Sequence, residues 1–399
     1  MNKILLFLFG CVITFSSCNT RRFGMSEVIE KGLERSVLQS KAMAYSLLDD
    51  KNKLPRTIGK DGKLLAVDSH DWTSGFYPGV LWYLFEVTHD DSLKYFASEY
   101  TQRVLKEQYT TDNHDVGFII SCSFGNGYRL TKNPQYRDVL VQAAHSLSTR
   151  YRETVQCIRS WDFNQQEWQY PVIIDNMMNL ELLLEASSLS GDSRFEQIAR
   201  KHADTTIKNH FRSDYSSYHV VSYDTITGLP EKKQTSQGFS DESSWARGQA
   251  WGLYSFTMMY RKTKDIHYLQ QAQEIAKFIL NHPNFPEDKI PYWDFDSSEI
   301  PNDYRDASAA AIMASGFIEL SQLAQDKKLA EECLATAEQQ LRTLTSPEYL
   351  SEPFDNHNFI LKHSVGHKPV RNEVDVPLIY ADYYYVEALV RYKKWILKE

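Results

Sequence analysis

The chain has 399 residues, 42% hydrophobic and 24% charged, and 52 acidic against 44 basic side chains give a formal net charge of -8. Holding nucleic acid through bulk basicity needs clustered cations, and no such run occurs, so that class is excluded; the hydrophobic share excludes a disordered chain. With 17 Gly, 13 Pro and no low-complexity stretch there is little linker material, so one large domain is expected behind the N-terminal segment.

That segment comes first in chain order. Lys3 gives a positive start, residues 4–15 form an apolar run, and Phe15-Ser16-Ser17-Cys18 ends it. The run is shorter than the roughly 20 residues that span a bilayer. Small residues before a cysteine resemble a bacterial lipoprotein signal, although Phe15 stands where Leu is commoner. The expectation is a signal peptide over 1–17, cleavage before Cys18 and lipid on the Cys18 thiol. The protein would be exported, periplasmic or at the cell surface, and would meet a membrane through that anchor. A plain secretory cut beside an ordinary cysteine is the alternative. Cys122, Cys157 and Cys333 are too few and too scattered for a disulfide framework or a metal site.

Beyond residue 25 apolar residues recur at helical spacing, and strand-like alternation is confined to short loops. A similar phrase opens five Ala-rich amphipathic helices: Asp91-Ser-Leu-Lys-Tyr95, Asn133-Pro-Gln-Tyr136, Asp192-Ser-Arg-Phe195, Asp265-Ile-His-Tyr268 and Asp326-Lys-Lys-Leu329. The first residue of each is a good N-cap, and the aromatic or Leu starts a buried stripe. These helices alternate with far more apolar ones, expected over 116–130, 176–188, 243–260, 307–323 and 376–392. A first pair over 26–48 and 78–87 completes about twelve helices in six pairs. Helices apolar on most faces are buried, so closing the pairs into a ring gives an all-α fold, an (α/α)6 barrel over 18–399. An open solenoid is the alternative, but its repeats are usually more constant in length.

The inner helices start alike, with His114-Asp115-Val-Gly-Phe118, Asp175-Asn-Met-Met-Asn179, Asp241-Glu-Ser-Ser-Trp245, Arg305-Asp306-Ala-Ser308 and Glu373-Val-Asp375-Val376. In such a ring their N-termini gather at one mouth, and several carboxylates converge there. N-capping explains any single Asp. It does not explain the aromatic and polar company: Trp72 in Asp71-Trp-Thr-Ser-Gly-Phe-Tyr-Pro-Gly79, then His219, Gln237, Trp245, Arg247, Trp251 and Tyr292-Trp293. Aromatics make up 13% of the chain, and flat rings with polar handles beside carboxylates and a guanidinium suit an acidic sugar. His363 and His367 sit on a loop rather than at metal-ligand spacing, and no Ser-His-Asp order, phosphate loop or Rossmann fingerprint occurs, so no metal or cofactor is expected. Trp82 and Trp395 fit helical stripes and read as core.

Six blocks together resemble the unsaturated glucuronyl hydrolases of glycoside hydrolase family 88: Trp72 to Gly79, His114 to Phe118, Asp175 to Leu180, Gln237-Gly-Phe-Ser-Asp241, Trp245-Ala-Arg-Gly-Gln-Ala-Trp251 and Glu373 to Tyr383. The resemblance spans nearly all of the chain behind the signal. It implies the same barrel and a substrate left by polysaccharide lyases, an oligosaccharide whose non-reducing uronic acid carries a C4=C5 double bond. The family hydrates that enol ether: an acid protonates C4, water adds at C5, and the hemiketal opens to release the next sugar. The resemblance makes Asp175 the general acid and base, with Asp115 on ring hydroxyls and sharing the proton. It makes Trp72, His114, His219, Gln237, Arg247 and Trp251 contacts of the uronate, and Lys368, in a loop only partly like the sulfate-reading loop of some relatives, a contact of sulfate. The residues alone leave Arg247 open as an ion pair with Asp241 or Glu242, and Trp251 open as barrel core. Glycosaminoglycan fragments are the leading substrate. Rivals are unsaturated rhamnogalacturonan from pectin, a non-catalytic glycan-binding lipoprotein, and an epimerase built on a histidine pair.

Overall fold

The computed structural model describes residues 24–399; the expected signal segment and Cys18 lie outside the described residues. The helices in chain order are α1 (Met25–Ser46), α2 (Phe76–Thr88), α3 (Asp91–Arg103), α4 (Val116–Ile120), α5 (Asn126–Thr131), α6 (Pro134–Ser148), α7 (Asn176–Ser190), α8 (Ser193–His210), α9 (Ala246–Thr263), α10 (Ile266–Asn281), α11 (Ala307–Leu323), α12 (Lys327–Leu344) and α13 (Ile379–Arg391). A π turn at Ser121–Gly125 joins α4 to α5 as one inner helix. The inner helices α2, α4 with α5, α7, α9, α11 and α13 pack each on the next, and α13 closes the ring on α2. The (α/α)6 barrel expected from the sequence is the fold observed.

Burial follows the sequence pattern. Every residue of α9 from Ala246 to Met259, and of α11 from Ala307 to Leu320, is buried. The outer helix α12 buries only a stripe of Leu329, Cys333, Thr336, Ala337, Gln340, Leu341 and Leu344, as an amphipathic helix should. Asn133, Asp192 and Asp326 cap their helices as expected. The first phrase starts one residue early: Asp90, not Asp91, caps α3, accepting from the Ser92 N–H at 2.8 Å. Asp265 holds the cap position of α10 without a side-chain bond to it. The helix expected from 243 begins at Ala246, because Trp245 pairs as an isolated bridge with Asp294. The one expected from 376 begins at Ile379, because Val376 ends a strand and Pro377 follows it.

Among the described residues, nine short strands lie in the connections that lead from an outer helix to the next inner one. They are β1 (Leu54–Ile58) with β2 (Leu64–Val67), β3 (Tyr151–Arg152) with β4 (Cys157–Ile158), a sheet of β5 (Pro171–Ile173), β6 (Val220–Tyr223) and β7 (Pro230–Gln234), and β8 (Ser364–His367) with β9 (Asn372–Val376). All pairs are antiparallel. These long connections gather where the inner helices start, whereas the inner-to-outer links are tight turns at the other end. That other end carries ion pairs, the partly exposed Arg261 with Glu181 and Glu319 and the buried Arg391 with Glu319 and Glu387, beside a cavity of about 390 Å³.

Candidate active site

At the strand-lined mouth the five carboxylates separate into two kinds. Asp306 is a plain cap, accepting from the Ser308 N–H at 2.9 Å. Asp241 accepts from the Thr235 N–H at 2.8 Å, and Asp375 pairs with His363 Nδ1 at 2.6 Å. Asp115 and Asp175 stand at the N-cap positions of α4 and α7, yet neither side chain caps its helix. Capping therefore fails for the two residues that the resemblance marks as catalytic. Asp175 Oδ2 is buried without a hydrogen-bond partner in the protein.

Both carboxyls hold their protons unusually well. Burial pushes Asp175 up to about 6, against the pull of the Arg247 charge, its own backbone N–H and the Trp251 indole. Burial, then the nearby charges of Asp175 and Asp71, push Asp115 up to about 8, with Arg150 opposing. Desolvation thus outweighs the helix N-termini, a contest the sequence left open. The two titrate as a coupled pair that keeps a proton through neutral pH.

Each aspartate is faced by a buried, neutral histidine. His219 Nδ1 accepts from the backbone N–H groups of Ser236 and Gln237, at 3.0 and 3.1 Å, so the ring proton sits on Nε2. Nε2 lies 3.9 Å from Asp175 Oδ2 and has no other partner. His114 Nε2 lies 3.5 Å from Asp115 Oδ1. Burial holds both imidazoles well below their usual pKa, which suits neutral hydrogen-bond donors.

The other expected residues are placed as follows. Trp72 is half-buried at the mouth, its ring 4.9 Å from Tyr380 and 5.8 Å from Phe118. Trp251, one turn after Arg247, is fully buried, with the tilted Phe118 ring and the edge-on Tyr384 ring each 5.4 Å away, so it packs as core; its Nε1 is left without a hydrogen-bond partner. Arg247 pairs with Asp306 at 3.3 Å, not with Asp241 or Glu242; the Glu242 carboxylate and the Asp241 backbone carbonyl hold Arg212 instead. Its terminal nitrogens also donate to Val365 O, to Gly366 O at 2.7 Å and to Gln237 Oε1 at 2.7 Å. The guanidinium expected to grip a carboxylate is thus already well supplied with acceptors. It fixes Gln237 and β8 beside the site and supplies positive potential to Asp175.

Lys368, which the resemblance implies as a sulfate contact, has its ammonium held by Asp303 at 2.5 Å and Glu299 at 2.7 Å, over the Trp293 ring. Two carboxylates on one ammonium leave that corner acidic. His367 Nε2 meets Ser236 O at 2.8 Å, and Trp82 is core as expected, its Nε1 on Thr101 at 2.9 Å, whereas Trp395 is 37% exposed.

Sequence reasoning passed over three residues. Arg56, on β1, bridges Asp71 and Glu373 at 2.5 Å each and ties the Trp72 loop to β9; a lone arginine in a short strand gave no signal. Asn176 and Asn179 sat inside a quoted block without a role. Asn176 ties α7 to Ser160 and to Ile158 O, each at 2.6 Å. Asn179 reaches His114 and the start of α4. Two amides flanking Met177 and Met178 in the buried first turn of α7 were the available cue.

Known proteins resemble the chain in sequence and fold. The chain is 47% identical over 349 residues to an unsaturated glucuronyl hydrolase of Formosa agariphila, covering 87% of this chain and 86% of that one. It is 33% identical to an unsaturated chondroitin disaccharide hydrolase of Streptococcus agalactiae over 95% of this chain and 96% of that one. A crystal structure of an unsaturated glucuronyl hydrolase specific for heparin superposes with a TM-score of 0.90 at 46% identity, covering 94% of this chain and 99% of that one. Residues 51–395, which hold every site residue above, match the profile of Glycosyl Hydrolase Family 88, and with that barrel and that aspartate pair the chain belongs to this family of glycoside hydrolases.

Proposed function

We propose that this enzyme removes 4,5-unsaturated uronic acid from the non-reducing end of glycosaminoglycan oligosaccharides left by lyases. The observation that carries the reading is the buried carboxyl of Asp175, which holds its proton towards neutral pH with Oδ2 unpaired and the His219 Nε2–H beside it. Such a group is suited to deliver a proton. Asp175 protonates C4, leaving positive charge shared between C5 and the ring oxygen. Water adds at C5 and returns its proton to the Asp175 carboxylate. The C5 hemiketal then opens to a ketone, its hydroxyl proton passing to the ring oxygen, and the hemiacetal this leaves at C1 collapses to an aldehyde as the C1–O bond to the next sugar breaks and its proton passes to the departing oxygen. The carboxylate-spacing rule for direct glycosidic displacement does not govern this route. Asp115, kept protonated more tightly still, holds ring hydroxyls, Trp72 offers a ring at the mouth, and the Arg247 charge favours an anionic sugar.

The likeness to a heparin-specific relative makes a heparin-derived disaccharide the first substrate to try. A panel of unsaturated disaccharides, followed by loss of the double bond's ultraviolet absorbance, tests the reading. Turnover of pectin fragments alone would overturn it in favour of the rhamnogalacturonan rival, and binding without turnover in favour of a lectin-like role.

We also propose that the protein is exported and anchored by lipid on Cys18. The support is the apolar run over residues 4–15 followed by Ser16-Ser17-Cys18. Cys18→Ser should move the protein out of the membrane fraction, and unchanged fractionation would refute the anchor.

A further inference from the structure

Asp115 stands where a side chain ordinarily accepts the N–H of the second or third residue of the helix it caps. The third residue of α4 is Phe118, and its N–H is taken instead by Asn179 Oδ1 at 2.7 Å, from the first turn of the neighbouring α7. This contact fixes which way the amide points. With Oδ1 on a backbone N–H, Nδ2 must donate, and it faces His114 Nδ1 at 3.2 Å. The imidazole nitrogen there is an acceptor, so the ring proton lies on Nε2, directed at Asp115. Gly117 permits the approach: a Cβ on it would lie 2.5 Å from Asn179 Oδ1 and 2.6 Å from its Cα.

We propose that Asn179 is a positioning residue that caps α4 in place of Asp115 and fixes the His114 tautomer, leaving the Asp115 carboxyl free to meet the sugar. The inference rests on the reading of Asp115 as a carboxyl on the substrate side. A free Asp115 would turn back to cap its own helix if Phe118 N–H were open, and Asn179 removes that competitor. The groups that bear on Asp115 from its surroundings are His114 on its own loop, Asp175 at the start of α7, Asp71 before α2 and Arg150 after α6.

The test combines spectroscopy and kinetics on the full protein. In wild type labelled with ¹⁵N-histidine, the His114 signals, identified by their loss in His114→Gln, should show the proton on Nε2. A proton on Nδ1 overturns the proposal without any variant. Asn179→Asp keeps the shape and the acceptor for Phe118 but places a carboxylate against His114 Nδ1, which must then carry a proton. Its ¹⁵N pattern should change, kcat/KM should fall on the order of tenfold or more, and the alkaline limb of the pH profile should move. An unchanged pattern, or unchanged kinetics in a variant of unchanged Tm, overturns the proposal; should the variant not fold, the wild-type spectrum decides. Asp115→Asn and Asp175→Asn run alongside: if both stay active, the functional reading itself fails, whatever Asn179 does.

Discussion

Replacing Asp115 with Asn removes one of two coupled carboxyls while keeping its shape. Burial, opposed chiefly by the Arg247 charge, places Asp175 near 6, and Asp115 reaches about 8 because the charges of Asp175 and Asp71 are added to its own burial. The free wild-type enzyme therefore keeps a last proton in the pair until about pH 8. The profile of kcat/KM reports ionisations of the free enzyme, and the proton-donating form is lost as pH rises, so the wild-type alkaline limb should lie near 8. With Asp115→Asn only Asp175 remains, and the limb should fall towards 6. A displacement of about 2 pH units corresponds to roughly 3 kcal/mol between protonation states. At pH 7.5 a group titrating at 6 is about 3% protonated, so the variant should retain only about that share of its own low-pH kcat/KM. Initial rates of absorbance loss on one disaccharide from pH 5 to 9 make the comparison. A limb that stays within about half a pH unit of wild type refutes the coupling.

The same shifts bear on stability. Both carboxyls are raised above the unfolded value of about 3.9, so the folded state binds their protons more tightly, and the stability these two groups contribute is greatest at low pH and is lost as pH rises through about 6 and 8. Asp115→Asn should accordingly melt above wild type beyond pH 8 and match it below pH 4; a lower Tm at pH 9 would contradict this. Gly75→Ala would put a Cβ 2.2 Å from Ile119 O and 2.6 Å from Ile119 Cα, backbone atoms that cannot swing aside. A loss of at least roughly 1–3 kcal/mol is expected in denaturant titration, and an unchanged midpoint argues against the tight seat of α2 on α4. Arg247→Lys cannot serve Asp306, Gln237 and the β8 carbonyls together, and kcat/KM should fall by at least roughly tenfold on every unsaturated uronide. Lys368→Ala should lower kcat/KM equally on a matched sulfated and unsulfated pair, because its ammonium is committed to Asp303 and Glu299; a loss confined to the sulfated substrate would restore the sulfate role.

What was legible in the sequence is what repeats or buries apolar surface. The N-cap phrases at Asn133, Asp192 and Asp326 and the wholly apolar runs of α9 and α11 dictate helices, and closing them into a ring follows from hiding the apolar ones. Helix starts slipped where a backbone bridge at Trp245, or a strand end at Val376 followed by Pro377, overrides the pattern. At the site, the residue types were legible but their partners were not. An Asp before a helix reads as a cap, and only the placement of Asn179 across from Phe118 shows why Asp115 need not be one. Lys368 and Arg247 read as cations for a ligand, and their neutralisation by Asp303, Glu299 and Asp306 depends on contacts between loops far apart in the chain.

The most direct measurement compares wild type with Asp175→Asn on an unsaturated glycosaminoglycan disaccharide, taking kcat from the loss of ultraviolet absorbance and Kd from calorimetry. The amide keeps the shape of the carboxyl but cannot deliver a proton to C4. A fall in kcat of roughly 10²–10⁴, with Kd held within about tenfold, is expected for removal of a general acid. Turnover by Asp175→Asn within about tenfold of wild type would contradict the assignment of the proton to this residue.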